Sequence, residues 1–467
     1  MTTANLKRFF ESAALPAGLA AVVGTLTLAA CGDSGKAMSP GPGAPDAGKA
    51  ANDAQATAPP GTYCSLPGSV LWGAGGPTTV PGGPPSTPPL EWLTLPEGFC
   101  AHYFGTVGDA RQLRFAPGGE LFVASPTTTT TGGNASEGAA AIVVLPDDNH
   151  DGTADQSITF LSNLPSTQGL LFANDSFYFQ DGAAVRRLPY KKGDRQPSAM
   201  PQVVTALSAP PIAAPQDSLH WPKAMDVAMD GTMYVTNGGS QGDACLSTNP
   251  TRGAVFAFQD DGSMHLVAKG FRNPIALRCE TNHNVCLAVE LALDYSDTTG
   301  GREKVVVVRS GDDWGYPCCA TRDLPYSTVT YSDTQGTPDC ANVAAESGSF
   351  VIGHTPFGVD FEPGMWPAPW KDRAFVTLHG VVGSFVGARV VAIGLDATTG
   401  LPMPATELGN GGPNADSLLQ FASGWDDGMQ DHGRPAAITF AADGRMFLAD
   451  DNLGIIVWIA PTTLKRP

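Results

Sequence analysis

The densest run of potential metal ligands in this chain is Asp147-Asp-Asn149-His-Asp151-Gly152-Thr153-Ala-Asp155. Asp147, Asn149, Asp151 and Asp155 stand at relative positions 1, 3, 5 and 9, Thr153 occupies position 7, and Gly152 falls where a calcium loop turns sharply. Hard oxygen donors at this spacing point to calcium. The bidentate glutamate that would complete such a loop is absent, since Ile158 stands at position 12. The flanks, Ala141-Ile-Val-Val-Leu and Ile158-Thr-Phe-Leu, have strand character, so the ion would stiffen a hairpin tip. The bland alternative is a solvated acidic turn.

A second candidate is His220, a loop histidine followed by the strand Met225-Asp-Val-Ala-Met, a tight Asp230-Gly231 turn and a second strand. A neutral imidazole suits proton transfer near pH 7; the alternative is a histidine that caps its loop. Gly238-x-Ser240-x-Gly242 follows and imitates a hydrolase elbow, but that motif needs a helix after the turn. Here Asp-Ala-Cys-Leu-Ser-Thr-Asn-Pro follows, which reads as loop. No His-Glu-x-x-His, phosphate-binding Gly-Lys loop, dinucleotide fingerprint or Cys-x-x-Cys-His haem attachment is present.

The elements that must position these residues are hairpins. Leu113-Arg-Phe-Ala-Pro-Gly-Gly-Glu-Leu-Phe-Val-Ala-Ser, Met225-Asp-Val-Ala-Met-Asp-Gly-Thr-Met-Tyr-Val-Thr and Ile438-Thr-Phe-Ala-Ala-Asp-Gly-Arg-Met-Phe-Leu-Ala each read as strand, glycine turn, strand. Looser copies start near Leu170, Ile275 and Val359. Six copies at spacings of about 50–80 residues predict an all-β, six-bladed β-propeller. Ring closure would come from the ends, with His102-Tyr-Phe-Gly-Thr-Val beside Ile455-Ile-Val-Trp-Ile. An irregular sandwich is the competing architecture.

Composition agrees. Charged residues make up 15% of the chain, with 55 glycines and 40 prolines, which helices exclude and turn-rich β proteins use. The net charge is −18, which repels phosphate backbones and argues against a nucleic-acid partner. Lys7 and Arg8, an apolar run to Ala30 and Leu28-Ala-Ala-Cys31 read as a lipoprotein signal over residues 1–30, with Cys31 the acylated first residue of the mature chain. The apolar run is short for a helix that needs roughly 20 residues to span a bilayer. The expectation is an exported protein held to the bacterial cell envelope by lipid alone. Residues 31–89 are rich in Pro, Gly, Ala and Ser and read as a disordered tether and an extended arm; residues 90–467 form the propeller domain. Eight cysteines beside Cys31 suggest four disulfides in an oxidising compartment. Cys279 and Cys286 flank a polar hairpin tip and are expected to pair. Cys64 and Cys100 bracket the arm. Adjacent Cys318 and Cys319 are expected to take separate partners.

Several short pieces recur in a common order: Leu95-Pro-Glu-Gly-Phe, the Asp-rich tip, Gln168-Gly-Leu-Leu, His220 with its strand pair, Gly270-Phe-Arg272-Asn273-Pro274, Trp314-Gly-Tyr-Pro317 and Gly433-Arg434-Pro435. In these the chain resembles the glucose/sorbosone dehydrogenase family, six-bladed propellers that hold pyrroloquinoline quinone (PQQ) and calcium, over about residues 90–465. The resemblance implies oxidation of a sugar or sugar aldehyde, with electrons leaving to a separate acceptor. It implies His220 as general base, with Arg272 beside it in the catalytic group. Arg272 and Arg434 would supply forked donors to the three cofactor carboxylates. Gln168 and Asn273 would add neutral hydrogen bonds, and Glu290 falls where the family approaches the metal. Two departures stand out. His379-Gly-Val-Val-Gly-Ser lacks the Trp and Arg found in many relatives, and Glu290 is followed by Leu-Ala where glycine often stands. The rival reading is a catalytically silent envelope propeller that binds glycans or protein.

Overall fold

In Leu121-Phe-Val-Ala-Ser every residue is buried, and the two faces of the strand serve different cores. Leu121 and Val123 join one apolar cluster, Phe122 and Ala124 the next. Such a division by alternate residues is required when a sheet stands between two neighbours and both its faces are covered. The structure, a computed structural model, describes residues 57–125, 140–207, 222–239, 250–292, 302–321, 324–325, 339–381, 383–407, 417–426 and 432–467.

These residues build six radial sheets. Their innermost strands are Gln112–Phe115, Leu170–Ala173, Met225–Val227, Asn273–Cys279, Pro356–Phe361 and Pro435–Phe440, which define blades 1 to 6. Each inner strand touches the next around a closed ring. All six hairpin copies seen in the sequence are the inner strand pairs of blades. Six apolar clusters lie one to each blade interface. No α-helix occurs among the described residues.

Blade 6 closes the ring. Phe99–Thr106 pairs antiparallel with Ile455–Pro461, with His102 opposite Trp458, so both ends of the domain share one sheet. The arm extends that sheet: Val70–Gly73 pairs with Phe99–Ala101, and Gly76–Thr79 pairs with Val70–Gly73. The described part of the arm is therefore built into the closing sheet. Cys64–Cys100 fastens the arm to this sheet, Cys279–Cys286 closes the blade 4 hairpin tip, and Cys319 pairs with Cys340. Cys318 is also disulfide-bonded, so no vicinal bridge forms. Cys31 and Cys245 lie outside the described residues.

The axis of the ring is plugged by charge. Arg114 of blade 1 pairs with Asp226 of blade 3. Arg278 of blade 4 donates to Leu113 O of blade 1 (2.9 Å) and Thr439 Oγ1 of blade 6 (3.2 Å), and lies 3.8 Å from Asp360 of blade 5. The two carboxylates also accept from backbone: Cys279 N to Asp226 and Phe440 N to Asp360, each at 2.9 Å. Removing one member of a buried ion network strands the others. Asp360→Ala should therefore lower stability by about 3–5 kcal/mol in urea unfolding, and a loss below 1 kcal/mol would show that the plug is dispensable.

Candidate active site at the funnel mouth

In this topology the connections entering the inner strands and leaving the second strands gather at one end of the ring. The residues there are polar and nevertheless buried. On the blade 2–3–4 side, Gln168 Nε2 crosses to Ile275 O (3.0 Å). Gln180 Oε1 accepts from both Gln168 N and Lys223 N (3.1 Å each), which ties blade 2 to blade 3. Lys223 Nζ donates to Asn237 Oδ1 (2.9 Å), and burial pushes its ammonium down to about 8. Arg272 N donates to Glu290 Oε1 (2.7 Å), and its Nη1 donates to Ala292 O (2.5 Å). Gln168 Oε1 and Asn273 Oδ1 are buried without a hydrogen-bond partner.

On the blade 5–6–1 side, Asp451 is the hub. It accepts from His379 Nε2 on one oxygen and Arg111 Nε on the other, both at 2.9 Å. Arg434 Nε donates to His379 O (2.9 Å) and its Nη2 to Gly380 O (2.6 Å), leaving Nη1 uncommitted. Phe357 packs on the His379 ring at 4.4 Å. Burial opposes ionisation of Asp451, but His379, Arg111 and Arg434 together hold it well below the usual carboxylate range. Burial, aided by the Arg434 charge, pushes His379 down to about 4, so the ring is neutral at pH 7. Arg434 itself is lowered by burial to about 10 and stays charged. Gly433 is required beside it: at φ +77° a Cβ would lie 2.2 Å from Asp450 Oδ1. Asp450 and Asp109 are both raised by burial to about 7.

The structure thus brings Gln168, Arg272, Asn273 and Arg434 to one end of the ring. His220 lies outside the described residues, as do Ser240 and Gly242. Glu290 Oε1 accepts from Arg272 N (2.7 Å), while its Oε2 is buried without a hydrogen-bond partner, 3.5 Å from Lys304 Nζ. Among the described residues no three His, Cys, Asp or Glu side chains gather as a metal cage. The Asp147–Asp155 loop caps the outer hairpin of blade 1, at the end opposite the funnel. It is wound by side-chain turns: Asp151 N to Asn149 Oδ1, Thr153 N to Asp151 Oδ1 and Asp148 N to Asp155 Oδ2. Asp147 Oδ1 is buried without a partner, and Gly152 sits at φ +88° under Trp458, whose Nε1 donates to Gly152 O.

Sequence reasoning passed over Arg111, Asp451, Lys223 and Gln180, and treated His379 only as a departure. A positional signal was present. Arg111 immediately precedes an inner strand, Lys223 comes two residues before one, and Asp450-Asp451 ends a blade's second strand, the positions that face the funnel in every blade.

Comparison with known proteins agrees with the fold. Residues 90–317 match a family model described only as a domain of unknown function, DUF7133. No curated protein matches. Among solved structures, the holo PQQ domain of pyranose dehydrogenase from Coprinopsis cinerea is 16% identical, with a TM-score of 0.61 over 82% of this chain and 98% of that one. The calcium structure of a Trichoderma reesei carbohydrate-active enzyme of family AA12 is 15% identical, with a TM-score of 0.59 over 79% and 97%. The apo soluble aldose sugar dehydrogenase of Escherichia coli is 12% identical, with a TM-score of 0.52 over 78% and 99%. The six-bladed propeller expected from the sequence is the fold this chain shares with them.

A histidine kept neutral in the folded state takes up its proton later than in the unfolded chain. His379 therefore contributes stability that is full above pH 6.5 and is lost as pH falls toward 4. The stability gap between wild type and His379→Asn should widen by roughly 2 kcal/mol from pH 4.5 to 6.5 in urea titrations. A pH-independent gap would show that His379 is charged in the fold.

Proposed function

We propose that this chain is a PQQ-dependent dehydrogenase that oxidises a sugar or sugar aldehyde and passes electrons to a separate acceptor. One observation carries the reading. On a protein of net charge −18, the funnel mouth concentrates Arg111, Lys223, Arg272 and Arg434. A tricarboxylate needs such donors, and these four stand at the same end of the ring.

The residues fit the group. Arg434 keeps Nη1 for a ligand while two backbone carbonyls fix its plane, and the buried acceptors Gln168 Oε1 and Asn273 Oδ1 await donors. Bound quinone would supply the two-electron acceptor, and a calcium ion held near Glu290 would act as its Lewis acid. This chain's own residues do the rest. Arg272 and Arg434 hold carboxylates, Gln168 and Asn273 orient by hydrogen bonds, and His220 takes the proton from the substrate hydroxyl as hydride leaves carbon. Support for calcium at Asp147, Asn149, Asp151, Thr153 and Asp155 is the turn winding and the partnerless Asp147 oxygen. There the ion would stiffen blade 1. Cys31 would tether the enzyme to the envelope.

Two kinds of failure separate the roles. His220→Ala should still bind PQQ yet lose roughly 10²–10⁴-fold in turnover with aldoses and a dye acceptor. Arg434→Ala should chiefly weaken PQQ binding, by about 1.5–3 kcal/mol. If wild type neither binds the quinone nor reduces dye across an aldose panel, the silent glycan- or protein-binding propeller takes its place. Chelator should lower the melting temperature of wild type more than that of Asp147→Ala/Asp151→Ala, as ligand linkage of about 2–3 kcal/mol requires; equal shifts would remove calcium from this loop.

A further inference from the structure

Asp109, like Asp450, is a carboxyl at the mouth that the mechanism leaves without a task. It lies two residues before Arg111, in the connection from blade 6 into the inner strand of blade 1. Its side chain is fully buried, and neither oxygen has a hydrogen-bond partner. Its backbone is left-handed, φ 51°, a conformation Asp and Asn tolerate but seldom adopt without a reason. The charged groups that act on it are Arg111 of its own connection and Asp451 from blade 6. Through Asp451 it is linked to His379 and Arg434. Asp450, the neighbouring carboxyl, differs: Trp425 Nε1 and the backbone N–H groups of Asn452 and Leu453 already donate to it.

Charge bookkeeping shows what such a group does. Arg111 and Arg434 give the cluster two positive charges, Asp451 removes one, and His379 is neutral; Asp450, which also acts on Arg434, is itself raised by burial to about 7. With Asp109 and Asp450 both protonated the cluster is a net cation and attracts an anion. Ionising Asp109 removes that positive charge. Burial without donors favours the protonated form, and the carboxyl sits where neutral pH divides the two forms. Linkage is reciprocal: if a proton on Asp109 strengthens anion binding, the bound anion must strengthen proton binding by the same factor.

We infer that Asp109 makes the mouth a proton-linked anion site: it takes a proton from solvent when a carboxylate ligand docks on Arg111 and Arg434, and returns it when the ligand leaves. Asp109 is thus a positioning residue for charge, acting through Arg111 and not on the reacting atoms. The inference rests on the anion-binding half of the proposed function and names its regulation.

The test uses the full chain and two probes, PQQ and citrate, the latter a tricarboxylate with no redox chemistry. Calorimetry in buffers of different ionisation enthalpy reads the protons taken up per anion bound. Wild type should take up a sizeable fraction of one proton near pH 7, and its Kd should rise roughly five- to tenfold between pH 6.5 and 8. Asp109→Asn, which suits the left-handed backbone, should take up clearly fewer protons per anion than wild type and show a shallower rise in Kd, any remaining uptake being that of Asp450. Melting curves without ligand provide a second readout: a carboxyl raised on folding costs stability as pH climbs from about 4 to 7, so Asp109→Asn should melt progressively higher than wild type across that range. Equal proton uptake in wild type and variant overturns the inference, as does failure of both probes to bind. Proton-linked citrate binding without PQQ binding or dye reduction would keep the inference and remove the dehydrogenase reading.

Discussion

The structure depends on how six radial sheets fill the hole where their inner edges meet. Apolar side chains cannot do it, because the inner strands expose backbone groups along the axis that need partners. Arg114 and Arg278 solve this with long forked donors that reach across the ring, while Asp226 and Asp360 accept from them and from the backbone of the next blade. Gln168 supplies the blade 2 link by reaching Ile275 O. The network balances two cations with two anions, so it holds the blades in register without a net buried charge. Desolvation makes such networks weak contributors to net stability, but a misregistered blade would leave a bare charge inside. The plug therefore selects one ring geometry more than it strengthens it.

That selection makes the funnel mouth possible. The residues one turn above the plug come from strand ends in every blade, and their spacing is inherited from the ring. Asp451, His379 and Arg111 belong to three different blades yet meet at 2.9 Å. The mouth departs from the plug in one respect: some of its polar groups keep open hydrogen-bonding positions. Arg434 spends two donors on backbone carbonyls and keeps one, and Gln168 and Asn273 keep acceptors. Groups that are fixed in place but incompletely satisfied are costly for folding alone. The open Arg434 donor suits an anionic group, and the two amide oxygens suit donor groups of a polar ligand.

The legible part of this design was local. Hairpin turns at Gly119, Gly231 and Gly444 all take positive φ, so the glycine turns marked real chain reversals. Cys279 and Cys286 paired because they face each other across one hairpin. Ring closure was readable because both end strands are long and apolar. Gln168, Arg272, Asn273 and Arg434 could be placed by resemblance, in segments that precede inner strands. Invisible in the sequence were contacts between residues far apart in the chain: Arg111 and Asp451 are 340 positions apart, Arg278 and Leu113 165. The arm strand Val70–Gly73 was missed because its Pro/Gly-rich surroundings mask four residues whose partner sits in the closing blade. Lys304, which stands 3.5 Å from Glu290, is likewise not legible from the local sequence.

The same arrangement explains why the departure after His379 need not cost the site its charge. The segment after His379-Gly380 lacks an arginine, but the carbonyls of those two residues instead fix Arg434, which comes from the neighbouring connection. Arg111 enters from blade 1 and is oriented by Asp451. A propeller mouth is surrounded by connections from all blades, so a cation lost from one can be replaced from another at a similar distance from the axis. What must be kept is a cation with an open donor and the rigidity of its anchors. Here the anchors are backbone carbonyls and a carboxylate held ionised by three neighbours, so the donors stay charged and aimed although the rest of the surface is acidic.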